Sequence, residues 1–582
     1  MKLLLRFFKR FLHYKRDLAL GFLAIPLAQF ADVWITILIG DAIKRARTAP
    51  DTEWLPRVIG LLVIFIIGHS IFRFLQRWLL VVVSRRVEVD LKQQLFDKLT
   101  SLSFDFHNRS RSGDVVSRLT SDVENLRMFL GPGLMYTLGA GVVVPFSLFV
   151  LYQLNSTLAL TMIAPMLAMG LIMKALSPRL HRHSMAVQES LAEIAHRAQE
   201  NFGGIRVVKG YSREETQAER FAKSSRSNRD NQIELGRARG WTHAAINGSF
   251  DLTFATILLI GGLAAVDRTL PIGDLFKFID LTIKVFWPLI ALGWIAGMYP
   301  RAVASAKRVD QLLAEEPSIS DPENAQVLDE VRGELSFEDV NYRYAPELPP
   351  AVSGINVHVP AGQSLGIVGP TGSGKTTLLN LIGRLFEPEG KLSLDGVPVG
   401  ELSLSSLRGS LSYVPQDSFL FSAPYEDNIR FGADEEITDE RVDELIGLAA
   451  MTAEVANFPD GKQQLVGERG VTLSGGQRQR TCIARALARN PRVLLLDDCL
   501  SAVDTETESH LLASLGQEGQ SRTLILSAHR LSSVAGADQI LVLDQDGAQL
   551  DLGTHEQLLQ SSSWYRETWD QQQRKSALVE GR

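Results

Sequence analysis

Hydrophobic and polar positions divide this chain in two near residue 310. Before that point, long apolar runs alternate with polar stretches of helical period. From about 330 onward, short apolar runs alternate with amphipathic stretches and turn residues, the rhythm of a soluble α/β domain. Six runs approach the ~20 residues a helix needs to cross a bilayer. They cover about 18–40, 57–82, 129–153, 157–177, 243–266 and 275–299. Pro26 and Asp32 interrupt the first, and Asp280, Lys284 and Pro288 the last. Such breaks are tolerated where the affected face looks into a helix bundle or a water-filled cavity. Asp280 and Lys284 are i,i+4 neighbours and can pair. With Asp32 and Asp251 they read as helix–helix contacts rather than cargo contacts. Segment 1–17 interleaves Lys and Arg with Leu and Phe and is followed by no small-residue cleavage site. It is expected to be an amphipathic helix on the membrane surface.

The spacing between runs is uneven. The third and fourth runs, and the fifth and sixth, are joined by very short loops. Segments 83–128 and 178–242 are long, polar and helical in period, so runs two to five are expected to continue well beyond the membrane. The turns of these two hairpins fall at 104–126 and 200–215. An even number of spans puts both ends on one side. The basic segments 1–17, 85–127 and 179–240 place that side in the cytoplasm. Lys44, Arg45, Arg47 and Arg57 in the first outer loop run against this, and the nucleotide chemistry below decides for it.

With 582 residues the chain exceeds one core. Its net charge of −6 argues against nucleic acid as a partner. Cys482 and Cys499 form neither metal spacing nor a disulfide framework and point to a reducing compartment.

The strongest local signal is GPTGSGKT, comprising Gly369, Pro370, Thr371, Gly372, Ser373, Gly374, Lys375 and Thr376, followed by Thr377. It follows an apolar strand pattern at 364–368 and opens a helix pattern at 376–386. Glycines let backbone N–H groups close around phosphate oxygens. The helix N-terminus favours the anion. Lys375 reaches the outer phosphates and the Thr376 hydroxyl can ligate Mg²⁺. Segment 313–330, rich in Pro, Ser, Asp and Glu, reads as a linker.

Six spans with two long hairpins, followed in one chain by such a nucleotide domain, resemble a half-transporter of the ABC exporter superfamily. Phe106, Gly113, Ser117, Arg118 and Asp122 resemble the family's first coupling turn, with one residue less between Phe and Gly. Glu200, Gly204, Ile205, Val208 and Lys209 resemble the second. The resemblance implies that these turns dock on nucleotide-binding domains. It also implies roles for single residues: Tyr344 as the adenine-stacking aromatic, Gln416 as the Q-loop glutamine near Mg²⁺, and Asp497 as the Mg²⁺-ordering aspartate. Asp504 lies in the D-loop element SAVD, and His529 is the switch histidine. LVGERG at 465–470 resembles a further exporter element. LSGGQRQR at 473–480 matches the signature motif; its Ser474, Gly475, Gly476 and Gln477 are implied to cap the ATP held by a partner's loop. One position departs. Where the family has a catalytic glutamate, this chain has Asp498, one methylene and about 1.5 Å shorter. A ~1 Å misplacement of a reacting group can cost on the order of 10²-fold in rate.

The expected architecture is therefore multidomain. It comprises an interfacial helix (1–17), an α-helical six-span transmembrane domain with long cytoplasmic helices (18–312), a linker (313–330) and an α/β P-loop ATPase domain (331–582). The resemblance implies an ATP- and Mg²⁺-dependent exporter in the bacterial cytoplasmic membrane. Both termini and the ATPase domain would be cytoplasmic. Its partners would be membrane lipids, a hydrophobic drug, lipid or peptide cargo, and a second half-transporter. Asp498 makes a different second chain, bearing the glutamate, the expected partner, and the subunit resembles the degenerate half of heterodimeric exporters. A homodimer, a lipid flippase and an ATP-gated channel stay open as alternatives.

Overall fold

The computed structural model describes residues 2–48, 51–467, 470–501, 503–517 and 522–580. The chain forms two compact units. One comprises Met1–Leu99 with Gly113–Ala314, and the other Thr100–Ser112 with Glu315–Arg582.

The first unit is helical. Helix α1 (Lys2–Phe11) passes through one 3-10 turn into α2 (Lys15–Thr48). It is followed by α3 (Leu55–Ser101), α4 (Ser112–Leu154), α5 (Ser156–Gly203), α6 (Glu214–Val266) and α7 (Ile272–Ala314). Among the described residues six helices are long and apolar enough to cross a membrane, and, with α1 and α2 taken together as Lys2–Thr48, they run 43 to 53 residues each. A bilayer takes only ~20, so the polar helical stretches do extend the hairpins far beyond it. Asn155 ends the third span and caps the fourth through its side chain, which accepts from the Leu158 N–H at 2.9 Å. That is why the loop can be so short.

The apolar core of this unit gathers Val33, Val143, Leu158, Met162, Ile257, Phe278 and Leu281. The N-terminal helix packs part of its apolar face on protein. Leu4, Phe7 and Phe11 are buried, and the two phenylalanines share a small cavity with Val87, Leu91, Val123 and Leu126. α3 and α4 offer this face a matching apolar stripe, while Leu5 and Leu12 stay exposed. The charged residues in the spans divide likewise. Lys284 bridges Asp280 on its own helix and Asp32 on α2, a helix–helix contact, whereas Asp251 is exposed.

The second unit carries two sheets. The first is antiparallel, in the order β2 (Val352–Val359), β1 (Leu335–Tyr342), β4 (Glu389–Leu394), β5 (Val397–Pro398). The second runs β10 (Gln549–Gly553), β9 (Gln539–Leu543), β3 (Ser364–Val368), β8 (Thr523–Ser527), β7 (Val493–Asp497), β6 (Leu411–Val414). Its neighbours from β9 to β6 are parallel, and β10 closes the edge antiparallel. β3 and β7 are nearly continuous apolar runs because both faces are covered. The stretch read as a linker is ordered against this unit: the Gln326 N–H donates to the Glu401 carbonyl at 2.8 Å and the Leu328 N–H to Ser406 Oγ at 3.0 Å. Residues 100–112, the start of the first coupling turn, also belong here.

Candidate nucleotide site

The site lies at the carboxyl ends of β3, β7 and β8, where parallel strands leave a crevice for ligands. β3 runs into the glycine loop, and the helix Lys375–Ile382 follows. Gly374 sits at φ +85°, and a Cβ there would come within 2.1 Å of the Ala351 carbonyl oxygen. Only glycine lets the loop curl over that strand. Lys375 Nζ lies 2.9 Å from the carbonyls of Gly369 and Pro370, so the ammonium is held inside the loop's own curve. Burial pushes this ammonium below its ordinary range, and Asp498 and Asp497 pull it back up. Among the described residues the buried Ser373 Oγ has no hydrogen-bond partner. An unsatisfied hydroxyl, backbone N–H groups and a buried lysine in one cradle fit a polyphosphate.

Asp497 ends β7, is 1% exposed, and is fixed by two neighbours. Ser527 Oγ donates to it at 2.6 Å and the Tyr413 hydroxyl at 3.1 Å. Burial next to this carboxylate pushes the Tyr413 phenol far up, so it remains a donor. Thr376 is exposed in the first helical turn. A carboxylate, a hydroxyl and the amide oxygen of Gln416 are the hard oxygen donors that suit Mg²⁺; Asp497, Thr376 and Gln416 are the residues that could hold it.

Three residues expected in catalytic roles meet at one carboxylate. Asp498 adopts a left-handed backbone, φ +44°. Its Oδ2 faces Gln416 Nε2 at 3.4 Å and its Oδ1 faces the His529 N–H at 3.4 Å. Both contacts are long for hydrogen bonds. His529 is held from behind: its carbonyl accepts from Gln572 Nε2 at 3.0 Å, and Gln572 Oε1 accepts from the Leu531 N–H at 2.9 Å. Gln572 lies in the helix Ser563–Glu580, and no motif pointed to it.

Tyr344 is half exposed. Its hydroxyl and the Thr377 hydroxyl are 2.9 Å apart, so Thr377 is turned toward the tyrosine rather than into the phosphate loop. Tyr344 also stands edge-on to Phe386 at 5.4 Å, and Phe386 meets Phe104 at 5.7 Å. Phe104 comes from the first coupling turn, which is tied down again by Ser103 Oγ accepting from the Ile319 N–H at 2.9 Å.

The signature residues form a different surface. Ser474 caps the helix Gly475–Ala488, and Gln477 completes a capping box, with its Oε1 2.9 Å from the Ser474 N–H. Gln477 is thus used by the helix itself, and Gly475 and Gly476 leave its positive end uncovered. Glu468 and Arg469 of the LVGERG element, and Ala502 of SAVD, lie outside the described residues. Asp504 caps its own helix, accepting from the Thr507 N–H at 3.0 Å. That bond holds its carboxyl below the usual range.

Comparisons with known proteins bear on both units. Residues 18–289 match the model of the ABC transporter transmembrane region, and residues 352–501 that of the ABC transporter. The multidrug resistance-like ATP-binding protein MdlA of Escherichia coli (strain K12) is 34% identical, across 89% of this chain and 88% of that protein. An ATP-dependent lipid A-core flippase of Methylobacillus flagellatus is 33% identical over 92% and 90%. The solved structure of a bacterial Atm1-family ABC exporter with ATP bound superposes with a TM-score of 0.78 at 26% identity, covering 96% and 98% of the two chains.

Proposed function

The chain belongs to the ABC transporter family, and from that premise we propose that it is the slow-hydrolysing half of a heterodimeric exporter of hydrophobic or amphipathic molecules. It is an integral inner-membrane protein, and its ATPase domain couples ATP hydrolysis to transport. Such exporters work as dimers. One observation supports the finer reading: Asp498, at the position where the family has its catalytic glutamate, lies between Gln416 and the His529 N–H and reaches each only at 3.4 Å.

Each residue then has a task. Lys375 and the N–H groups of the glycine loop bind the phosphates. Asp497, Thr376 and Gln416 would hold Mg²⁺, which would supply neutralisation of phosphate charge. Asp498 would face the attacking water with a shorter reach than a glutamate. Tyr344 orients the base. Ser474, Gly475 and Gly476 face outward and complete the site carried by the other subunit, whose glutamate performs the fast cleavage.

Coupling follows from the turns. The tip of the second hairpin exposes Phe202, Val207 and Tyr211, at 75%, 63% and 76%. The ATPase unit has a groove of about 330 Å³ walled by Phe419, Phe431, Arg485 and Pro415, the neighbour of Gln416. In this reading each subunit's apolar tip enters the other's groove, so movement of Gln416 reaches the membrane helices. The cytoplasmic placement of the ATPase unit and both termini follows from the use of ATP.

The reading is tested by purifying the chain alone and with its partner in lipid nanodiscs. The expected result is weak ATP turnover alone and restored turnover on assembly. Robust turnover by the chain alone would refute the heterodimer.

A further inference from the structure

The helix Ser563–Glu580 carries none of the nucleotide motifs, yet it is built into the ATPase unit. Tyr565, Trp569 and Gln572 stand at i, i+4 and i+7, so they share one helix face. Tyr565 is fully buried. Trp569 packs against the core cluster that also holds Leu496, Leu526 and Leu531. The Tyr565 hydroxyl lies 2.8 Å from His555 Nδ1, and the His555 ring meets Trp569 edge-on at 4.5 Å. These contacts fix the helix to the unit before the face reaches Gln572.

Gln572 places both ends of its amide on one backbone segment. Nε2 donates to the His529 carbonyl at 3.0 Å, and Oε1 accepts from the Leu531 N–H at 2.9 Å. A carbonyl at i and an N–H at i+2 are the groups that one residue of a parallel neighbour engages in a ladder. The side chain thus stands in for a strand just after β8 has ended at Ser527. On its other flank the segment is held through side chains. Arg530 donates to the Ser501 carbonyl at 3.3 Å and faces Glu508 at 3.5 Å, and Ser533 donates to Glu508. The His529 N–H reaches Asp498 Oδ1 only at 3.4 Å, so the carbonyl contact from Gln572 is the firmer hold on this residue's backbone. An apolar side chain at position 572 would serve packing. An amide with both ends engaged serves the segment that carries the histidine.

Resting on the ATP-site reading, and not on the slow-hydrolysing one, we infer that Gln572 is a positioning residue: it sets the His529 backbone so that the imidazole reaches the third phosphate of ATP. The helix Ser563–Glu580 is thereby a working part of the site. ADP lacks that phosphate. A loosened His529 therefore weakens ATP binding and leaves ADP binding as it was, whereas a general loss of fold weakens both.

The test uses the assembled transporter in lipid nanodiscs, kept cold with Mg²⁺ so that nucleotide binds without turnover. A photoreactive ATP analogue is attached by light, and the label is read on this chain. Its displacement gives affinities for ADP and for adenylyl imidodiphosphate, which keeps a third phosphate and resists cleavage. Gln572→Met keeps length without the amide. It should weaken the triphosphate analogue by about 3- to 10-fold, the scale of one or two hydrogen bonds, and change ADP by less than about twofold. Gln572→Glu keeps the acceptor and lacks the donor. The same selective loss is expected of it, and it serves if the Met variant does not fold, which melting temperatures decide. His529→Ala should itself show the selective loss, and in that background Gln572→Met should add less than about twofold, because the two residues act as one unit. Equal weakening of both nucleotides in folded variants, no weakening, or a fully additive loss in the His529→Ala background would overturn the inference. If His529→Ala shows no selectivity, its phosphate contact falls and the inference with it. Lys375→Ala, which should abolish labelling, tests the ATP site separately. With that control met and His529→Ala selective, an unselective Gln572→Met removes the positioning role and nothing else.

Discussion

At the scale of residues, chemistry concentrates on a few side chains whose surroundings set what they can do. Gly374→Ala should abolish nucleotide binding, because a left-handed backbone and a Cβ 2.1 Å from the Ala351 oxygen cannot both be accommodated. Fluorescent-nucleotide titration would show it; retained affinity would contradict the cradle described. Phe386→Ala removes the prop behind Tyr344. Aromatic pairs contribute about 0.5–1.5 kcal/mol beyond area burial, so the KM for ATP should rise roughly 2- to 10-fold, more than kcat falls. Asp498→Glu lengthens the carboxylate and should raise turnover at this site by roughly tenfold or more, read as ATPase of the chain alone. Most of the nucleotide site was legible beforehand because its groups lie in contiguous motifs whose spacing the phosphates dictate. Gln572 and the Phe104–Phe386–Tyr344 contacts were not, because folding alone brings those positions together and none carries reactive chemistry.

At the scale of elements, the long helices are held by buried polar pairs where their apolar stripes end. Asp122 on α4 is 1% exposed and accepts from Arg308 Nε and Ser305 Oγ, each at 2.8 Å. Burial pushes this carboxyl up, but the Arg308 and Ser305 hydrogen bonds outweigh it and hold it below the usual carboxylate range. A carboxyl lowered on folding stabilises fully above its unfolded value of about 3.9, and that contribution is lost as pH falls through the folded value. Arg308→Ala should therefore destabilise the membrane unit. The cost should be about 1–3 kcal/mol, below the usual figure for a broken buried pair because Arg308 is itself half exposed. That destabilisation should be fully present near pH 7 and should shrink as the pH falls through the folded value of Asp122. Thermal unfolding in detergent across pH 3 to 7 checks both. The extended hairpins were legible from helical period beyond the apolar runs. The burial of α1 was not: amphipathicity says that one face seeks cover and not whether lipid or protein supplies it.

At the scale of the whole molecule, the chain presents several surfaces that its own residues do not complete. The signature helix end, the exposed tip of the second hairpin and the groove beside Gln416 each call for a second subunit. On the proposed reading, in which the partner carries glutamate at this position, Asp498 makes the two ATP sites of such a dimer unequal. The most direct test of this inequality is steady-state ATP turnover of the assembled transporter in two variants, Asp498→Asn here and the equivalent Glu→Gln in the partner. The account predicts that Asp498→Asn changes turnover by no more than about threefold, while the partner's substitution lowers it by on the order of 10² or more, the scale of a lost general base. A collapse of turnover on Asp498→Asn, with the partner's site intact, would contradict it.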